Sequence, residues 1–392
     1  MTGPGGTPVP GDGVRCMLMR GGTSKGLYFL AGDLPADPAE RDALLLAVMG
    51  SGHPMQVDGV GGAHPLAAKV AVVSPSQRED ADIDYLFLQL GVDEPTITDR
   101  QNCGNILAGV GPFAVERGLI GAGGESTTAR IHMVNSRALV TATFATPGGE
   151  VRYAGDTAIS GVPGTAAPIL LRFTDTAGSA TGSLLPTGGV RDVIDGIAVS
   201  CVDNGMPVVV ARAADFGLTG YEPAEELAGN DELARLVQAL RLAAGKLMGL
   251  GDVAGLSVPK TTLVSAPRDG GTICTRTFIP VRPHTSIGVL GAVSVATALL
   301  LPGGTGAELA RFPAAGHVAD IEHPTGHLEV EVELDTSGSP PRVLRAGVVR
   351  TARKLFDGTV YPARSPGKEA SDAPATRHSP PRPCRAAHAR AG

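Results

Sequence analysis

Two stretches of this chain are apolar on every side and rich in small residues: Ile106-Leu107-Ala108-Gly109-Val110, and the run from Ile287 to Leu301. A helix that is apolar all round has to be enclosed. The second run is shorter than a membrane span and carries Gly288, Gly291, Ser294 and Thr297, so it reads as a core helix. Both segments therefore demand strands wrapped around them, and the order of those strands is the same twice. In the first half, strand Val14 to Met19 leads to the polar loop Arg20 to Gly26 and strand Leu27 to Leu30. A helix from Pro38 to Met49, strand Lys69 to Val73, a strand at 83–90 and the Cys103 helix to about Ile120 follow, with a kink or a short first segment expected at Gly111-Pro112. Strands at 129–144 and 150–154 and from Ile169 to Phe173 close it.

The second half runs through strand Ile197 to Cys201, polar loop Val202 to Pro207 and strand Val208 to Ala211. Then come a helix from Pro223 to Leu247, strand Leu256 to Val264 with Lys260, strand Thr272 to Ile279, a helix start at Pro283 to Val289 and strand His327 to Leu334. The fold class expected is α+β: two pseudo-symmetric domains, each a curved, mostly antiparallel sheet around a central helix. The boundaries are a flexible leader at 1–13, a first domain at 14–190, a second at 191–342, a return of 343–362 to complete the first sheet, and a disordered tail at 363–392. Two such halves face to face would aim both inner helix starts into one cleft.

A length of 392 residues agrees with two domains. Net charge is −6 and no basic patch interleaves with aromatics, which argues against a nucleic-acid partner. The five cysteines are an odd number without CxxC spacing, which argues against a disulfide framework and a zinc ribbon. Residues 1–13 carry no apolar core of a signal peptide, so a soluble, cytoplasmic protein with no membrane partner is the expectation.

Chemistry concentrates at Gln101-Asn102-Cys103-Gly104-Asn105. Asn102 suits an N-cap, with Cys103 in the first turn of the buried helix. The unpaired N–H groups there favour negative charge, so a thiolate or an anionic substrate group could sit on them. The competing reading is an inert buried cysteine. Lys69 heads a continuous apolar strand, either as a surface cap or as a partly desolvated amine able to act as a base. The loop Arg20-Gly21-Gly22-Thr23-Ser24 is a hairpin turn or a backbone cradle for a carboxylate, and Asp58-Gly59-Val60-Gly61-Gly62 is a second Gly-rich loop. The second helix start offers His284, Thr285 and Ser286 but no thiol, which disfavours racemisation by paired cysteines. Lys69 and Cys103 remain as a base and acid for proton transfer α to a carbonyl.

These motifs in series, with Lys69-Val70-Ala71-Val72, Asp203-Asn204-Gly205-Met206-Pro207 and His284-Thr285-Ser286-Ile287-Gly288, resemble the PrpF-like isomerases, which have the diaminopimelate-epimerase fold. The resemblance runs from about Arg15 to Tyr361 and within the family points to the 4-oxalomesaconate tautomerases of gallate and protocatechuate catabolism. It implies a cofactor-independent isomerase of an unsaturated tricarboxylic acid, with no metal, in which Lys69 and Cys103 are the acid–base residues. Substrate-binding positions implied are Arg20, Gly21, Gly22, Thr23, Ser24, Gly61, Gly62, Asn102, Gly104, Asn105, Asp203, Asn204, Met206, His284, Thr285 and Ser286. One departure is Ala67-Ala68, where the family usually has Thr-Ser. Rival readings are a 2-methylaconitate or aconitate isomerase, a hydrolase using Cys103 with His284, and a non-catalytic tricarboxylate-binding protein. Assembly as a homodimer stays open.

Overall fold

The computed structural model describes residues 13–99, 103–313 and 318–363. The expectations for the leader, for Asn102 and for the tail lie outside the described residues, apart from Gly13 and Ala363 at their edges. The protein is a mixed, β-rich structure with few helices. One 16-stranded sheet runs through it. Its first eight strands in spatial order are Val14–Gly21, Ser24–Leu30, Lys69–Pro75, Ile83–Leu90, Ser126–Met133, Ala138–Ala145, Pro168–Phe173 and Arg342–Val360. The last of these pairs back onto Val14–Gly21, so the first half closes into a barrel. The same long strand also pairs with Gly326–Asp335, and the path continues through Val318–His323, Ile273–Phe278, Lys260–Ser265, Pro207–Arg212, Ile197–Asp203 and Asp192–Ile194.

The pairing pattern repeats as the motif order does. From Val14–Gly21 onward, neighbours alternate antiparallel, parallel, antiparallel, parallel, antiparallel. From Ile197–Asp203 onward they do the same. A parallel neighbour needs a crossover connection, and each parallel pair here has one containing a helix. Pro38–Met49 and Asp231–Leu247 bridge the first parallel pair of each half; Gly104–Glu116 and Val289–Leu300 bridge the second. The last two pack together in the main core, while the first two each cover the outer face of their own sheet.

Small residues let the sheet close on the inner helices. A Cβ on Gly109 would meet the Tyr28 hydroxyl at 2.5 Å, and one on Gly111 would meet the Phe144 ring at 2.6 Å. Tyr28 donates instead to the Ile106 carbonyl at 2.5 Å, which gives a fully buried hydroxyl its partner.

Four local expectations are corrected. The Cys103 helix ends at Glu116, four residues short of Ile120, and continues through Pro112 instead of stopping in a short first segment. The segment from Pro223 to Leu247 is two helices, Ala224–Ala228 and Asp231–Leu247, because Asn230 caps the second by accepting from the Leu233 N–H. Residues 150–154 form no strand; the hairpin is Ser126–Met133 with Ala138–Ala145. The second inner helix starts at Val289 with Gly288 as its cap, so His284, Thr285 and Ser286 precede the helix.

Candidate active site

Strand parity decides where Lys69 points. In Lys69–Pro75, Ala71 and Val73 belong to the main core, and Val70 and Val72 to the outer one. Side chains alternate along a strand, so Lys69 shares the inner face with Ala71 and Val73. It is 7% exposed. Its ammonium donates to Gln89 Oε1 at 2.5 Å and lies 5.2 Å from the centre of the Phe87 ring. Gln89, directly opposite in register, is oriented by its own amide, which donates to the carbonyls of Pro65, Ala68 and Leu90. Ala68 is fully buried in the outer core, on the face away from the amine.

Cys103 is half-buried and is itself the N-cap of Gly104–Glu116, a correction to its expected place in the first turn. Its carbonyl accepts from the Leu107 N–H at 3.0 Å and from the Tyr85 hydroxyl at 3.4 Å. Tyr85 and Phe87 are two residues apart on the inner face of Ile83–Leu90, about 7 Å along the strand. One strand face thus carries Cys103 over its Tyr85 and the Lys69 amine over its Phe87.

Neither inner helix has a side-chain cap at its start. The two starts meet: a Cβ on Gly104 would lie 3.7 Å from Val289 Cγ2. Helix starts without side-chain caps leave N–H groups free to hold an anion. Gly22, at φ +51, lets its turn press on Asn105, whose side-chain amide donates to Thr23 Oγ1 at 2.9 Å. Gly21 packs against the Asn105 carbonyl, where a Cβ would come within 2.4 Å. Asn105 Oδ1 and Ser24 Oγ are buried with no hydrogen-bond partner among the described residues. Arg20 braces the same turn, its Nη1 donating to Gly22 O, Thr351 O and Thr351 Oγ1. Gly62 sits beside Lys25 and Ala67, whereas the Gly61 N–H is spent on the Met49 carbonyl at the end of the outer helix.

In the second half, the Asp203 and Asn204 side chains are turned inward. Both side chains are fully buried and taken up by protein. The Asp203 carboxylate accepts from Ala180 N, Thr181 N, Thr181 Oγ1 and Ser179 Oγ, and Asn204 bonds Thr176 and Thr297. They anchor a loop to the second inner helix. The Met206 carbonyl is held by Ser294. His284 Nδ1 accepts the Ser286 N–H at 2.8 Å, Thr285 is exposed, and Ser286 Oγ lies 3.2 Å from His323 Nε2. Burial pushes His323 down to about 4, helped by the His327, His284 and Arg350 charges. Burial also lowers Lys260, the second-half counterpart of Lys69, and His284.

Gln89, His323 and Arg350 were not among the site residues expected from sequence. Arg350 is 8% exposed on the long strand shared by both halves, and its inward neighbours Val348 and Ala352 are main-core residues. Burial pushes its guanidinium down to about 10, opposed by the Cys103 charge alone. No sequence signal sets it apart, because the same strand also carries Arg342, Arg345, Arg353 and Lys354.

Among the described residues no helix is long and apolar enough to cross a membrane. The PrpF protein family model matches residues 13–363. The chain is 59% identical to the (4E)-oxalomesaconate Delta-isomerase of Novosphingobium sp. (strain KA1), over 89% of this chain and 98% of that protein. It is 53% identical to the 4-oxalomesaconate tautomerase of Pseudomonas putida, over 88% of this chain and 95% of that one. A crystal structure of methylitaconate-delta-isomerase superposes with a TM-score of 0.83 at 32% identity, covering 90% of this chain and 96% of its own. Matched over residues 13–363 and by these relatives at 53–59% identity, this chain belongs to the PrpF family of isomerases.

Proposed function

We propose that the protein is an isomerase of 4-oxalomesaconate that moves an allylic proton without a cofactor. The observation that carries this reading is the single strand face on which a buried Lys69 amine and Cys103 lie together, beside two uncapped helix starts. Identity of 53–59% to proteins named for oxalomesaconate isomerisation supports the substrate.

Lys69 acts as the base. Gln89 Oε1 fixes the amine at one point, so a free lone pair can be aimed at a bound C–H once the proton on that side has left. The negative charge that develops on the enolate falls on preorganised N–H groups at the helix starts. Cys103 returns a proton at the far end of the conjugated system. Gly104, Asn105, the Gly21-Gly22-Thr23 turn and the Ser286–His323 pair would hold the carboxylates. The domain reading goes with this: 14–190 and 191–342 are two diaminopimelate-epimerase-type units, with 343–362 completing the first.

A spectrophotometric assay against 4-oxalomesaconate, 2-methylaconitate and aconitate tests the proposal. Turnover is expected to be fastest, by at least tenfold in kcat/KM, on 4-oxalomesaconate. Preference for either other acid would overturn the substrate, and no turnover of any would overturn the reaction.

A further inference from the structure

Three arginines among the described residues are buried, Arg241, Arg276 and Arg350, and the first and last of them are treated very differently. Arg241, fully buried, gives its N–H groups to the carbonyls of Val253, Ala254, Leu256 and Val258 and to Gln238 Oε1. That is how a guanidinium serves a structure: each of its three nitrogens has an acceptor. Arg350 has one such bond, from Nη1 to the carbonyl of the adjacent Val349 at 3.2 Å. Its Nε is buried without a partner, and it makes no ion pair among the described residues. A buried charge with neither counter-ion nor full hydrogen bonding is costly and is kept only where something repays it.

Its surroundings say what is missing. Arg350 shares the inner strand face with Val348 and Ala352, in the core that both inner helices enter. The following residue, Thr351, holds the Gly22 N–H and Arg20, and so fixes the turn that presses on Asn105. Its charge couples to Cys103 and to His323, whose Nε2 lies beside Ser286 Oγ. The core face that carries Arg350 is thus the one entered by two helix starts that favour negative charge, and among the described residues no carboxylate pairs with its guanidinium.

We propose that the Arg350 guanidinium is the seat of one substrate carboxylate, held in the cleft between the two helix starts beside Cys103. This rests on reading the cleft as a tricarboxylate site. The planar fork of an arginine matches a carboxylate with two parallel N–H···O bonds, so the ligand supplies both the charge and the acceptors that the fold withholds.

Tricarballylate, the saturated tricarboxylate that cannot isomerise, is the probe. Its Kd is measured by calorimetry, together with the thermal midpoint of the ligand-free protein, for wild type, Arg350→Gln and Arg350→Lys. Arg350→Gln is expected to weaken binding by ~10- to 100-fold while the ligand-free midpoint stays level or rises, because an uncompensated charge has gone. Arg350→Lys, which keeps the charge but not the fork, is expected to lie between the two. Unchanged affinity in a folded Arg350→Gln protein would overturn the proposal. Should that variant not fold, Arg350→Lys decides, and wild-type affinity there would overturn it. The two readings separate cleanly. Arg350-dependent binding without turnover of 4-oxalomesaconate would sink the isomerase proposal alone. Turnover with a KM indifferent to Arg350→Gln would sink this one alone.

Discussion

The two halves of the molecule have the same path and different chemistry. Each alternates antiparallel and parallel neighbours in the same order, and each passes one helix outside its sheet and one inside. At equivalent points they then part. The first inner helix is capped by Cys103, the second by Gly288, which has no side chain. Lys69 is almost wholly buried and tied to Gln89; Lys260 is half-buried, and continuing the strand register sets Ile279, whose side chain offers no acceptor, opposite it. The turn at Gly22 faces Asn105 at the helix start, while the loop at Asp203-Asn204 is locked inside the second half. What a duplicated fold preserves is the pair of helix starts, which bind anions through backbone and need no particular side chains. Proton transfer needs an amine and a thiol in defined places, and only the first half keeps both.

The largest effect that would test this asymmetry is at the cysteine. Cys103→Ala is expected to lower kcat by ~10²–10⁴ with circular dichroism unchanged, and Cys103→Ser to be nearly as poor, since a hydroxyl is a much weaker acid than a thiol. Wild-type turnover in either would return Cys103 to a packing role. Next in size, Gln89→Leu frees the Lys69 amine from its acceptor at Gln89 Oε1 and should lower kcat by about tenfold while KM stays within threefold.

A smaller effect comes from the second half. His323 titrates near 4 in the folded protein against about 6.5 when unfolded, so the unfolded chain binds the extra proton first. Its contribution is complete above pH 6.5 and is lost as pH falls from 6.5 toward 4. Thermal midpoints measured across that window should decline, and His323→Gln should flatten part of the decline; an identical slope in the variant would contradict it. Smallest of all is Cys201→Ser. That thiol is buried in the outer core of the second half and pushed up to about 12 by burial, so kcat should stay within twofold.

Much of this was legible before any coordinates. The twofold order of strands and helices follows from apolar periodicity, and the two all-apolar helices required enclosure. Cys103 stood out because amides and glycines precede an apolar run, and Lys69 because it heads one. Sequence could not say which face of its strand Lys69 takes, since Val70 and Val72 are as apolar as Ala71 and Val73; the two cores on either side settle it. The inward turn of the Asp203 and Asn204 side chains was not legible, for a physical reason. A polar loop beside a cleft can aim outward or inward, and their partners at Ser179–Thr181 and Thr297 are remote in the chain. Arg350 went unassigned because the strand that carries it returns from the far end of the sequence to lie between the halves.

The comparison of the two lysines tests the central claim most directly. Lys69→Ala and Lys260→Ala are made in the full chain, and kcat on 4-oxalomesaconate is measured for each with folding confirmed. The expected result is a loss of ~10²–10⁴ for Lys69→Ala and less than tenfold for Lys260→Ala. Equal losses, or a larger one at Lys260, would contradict the assignment of proton transfer to the first half.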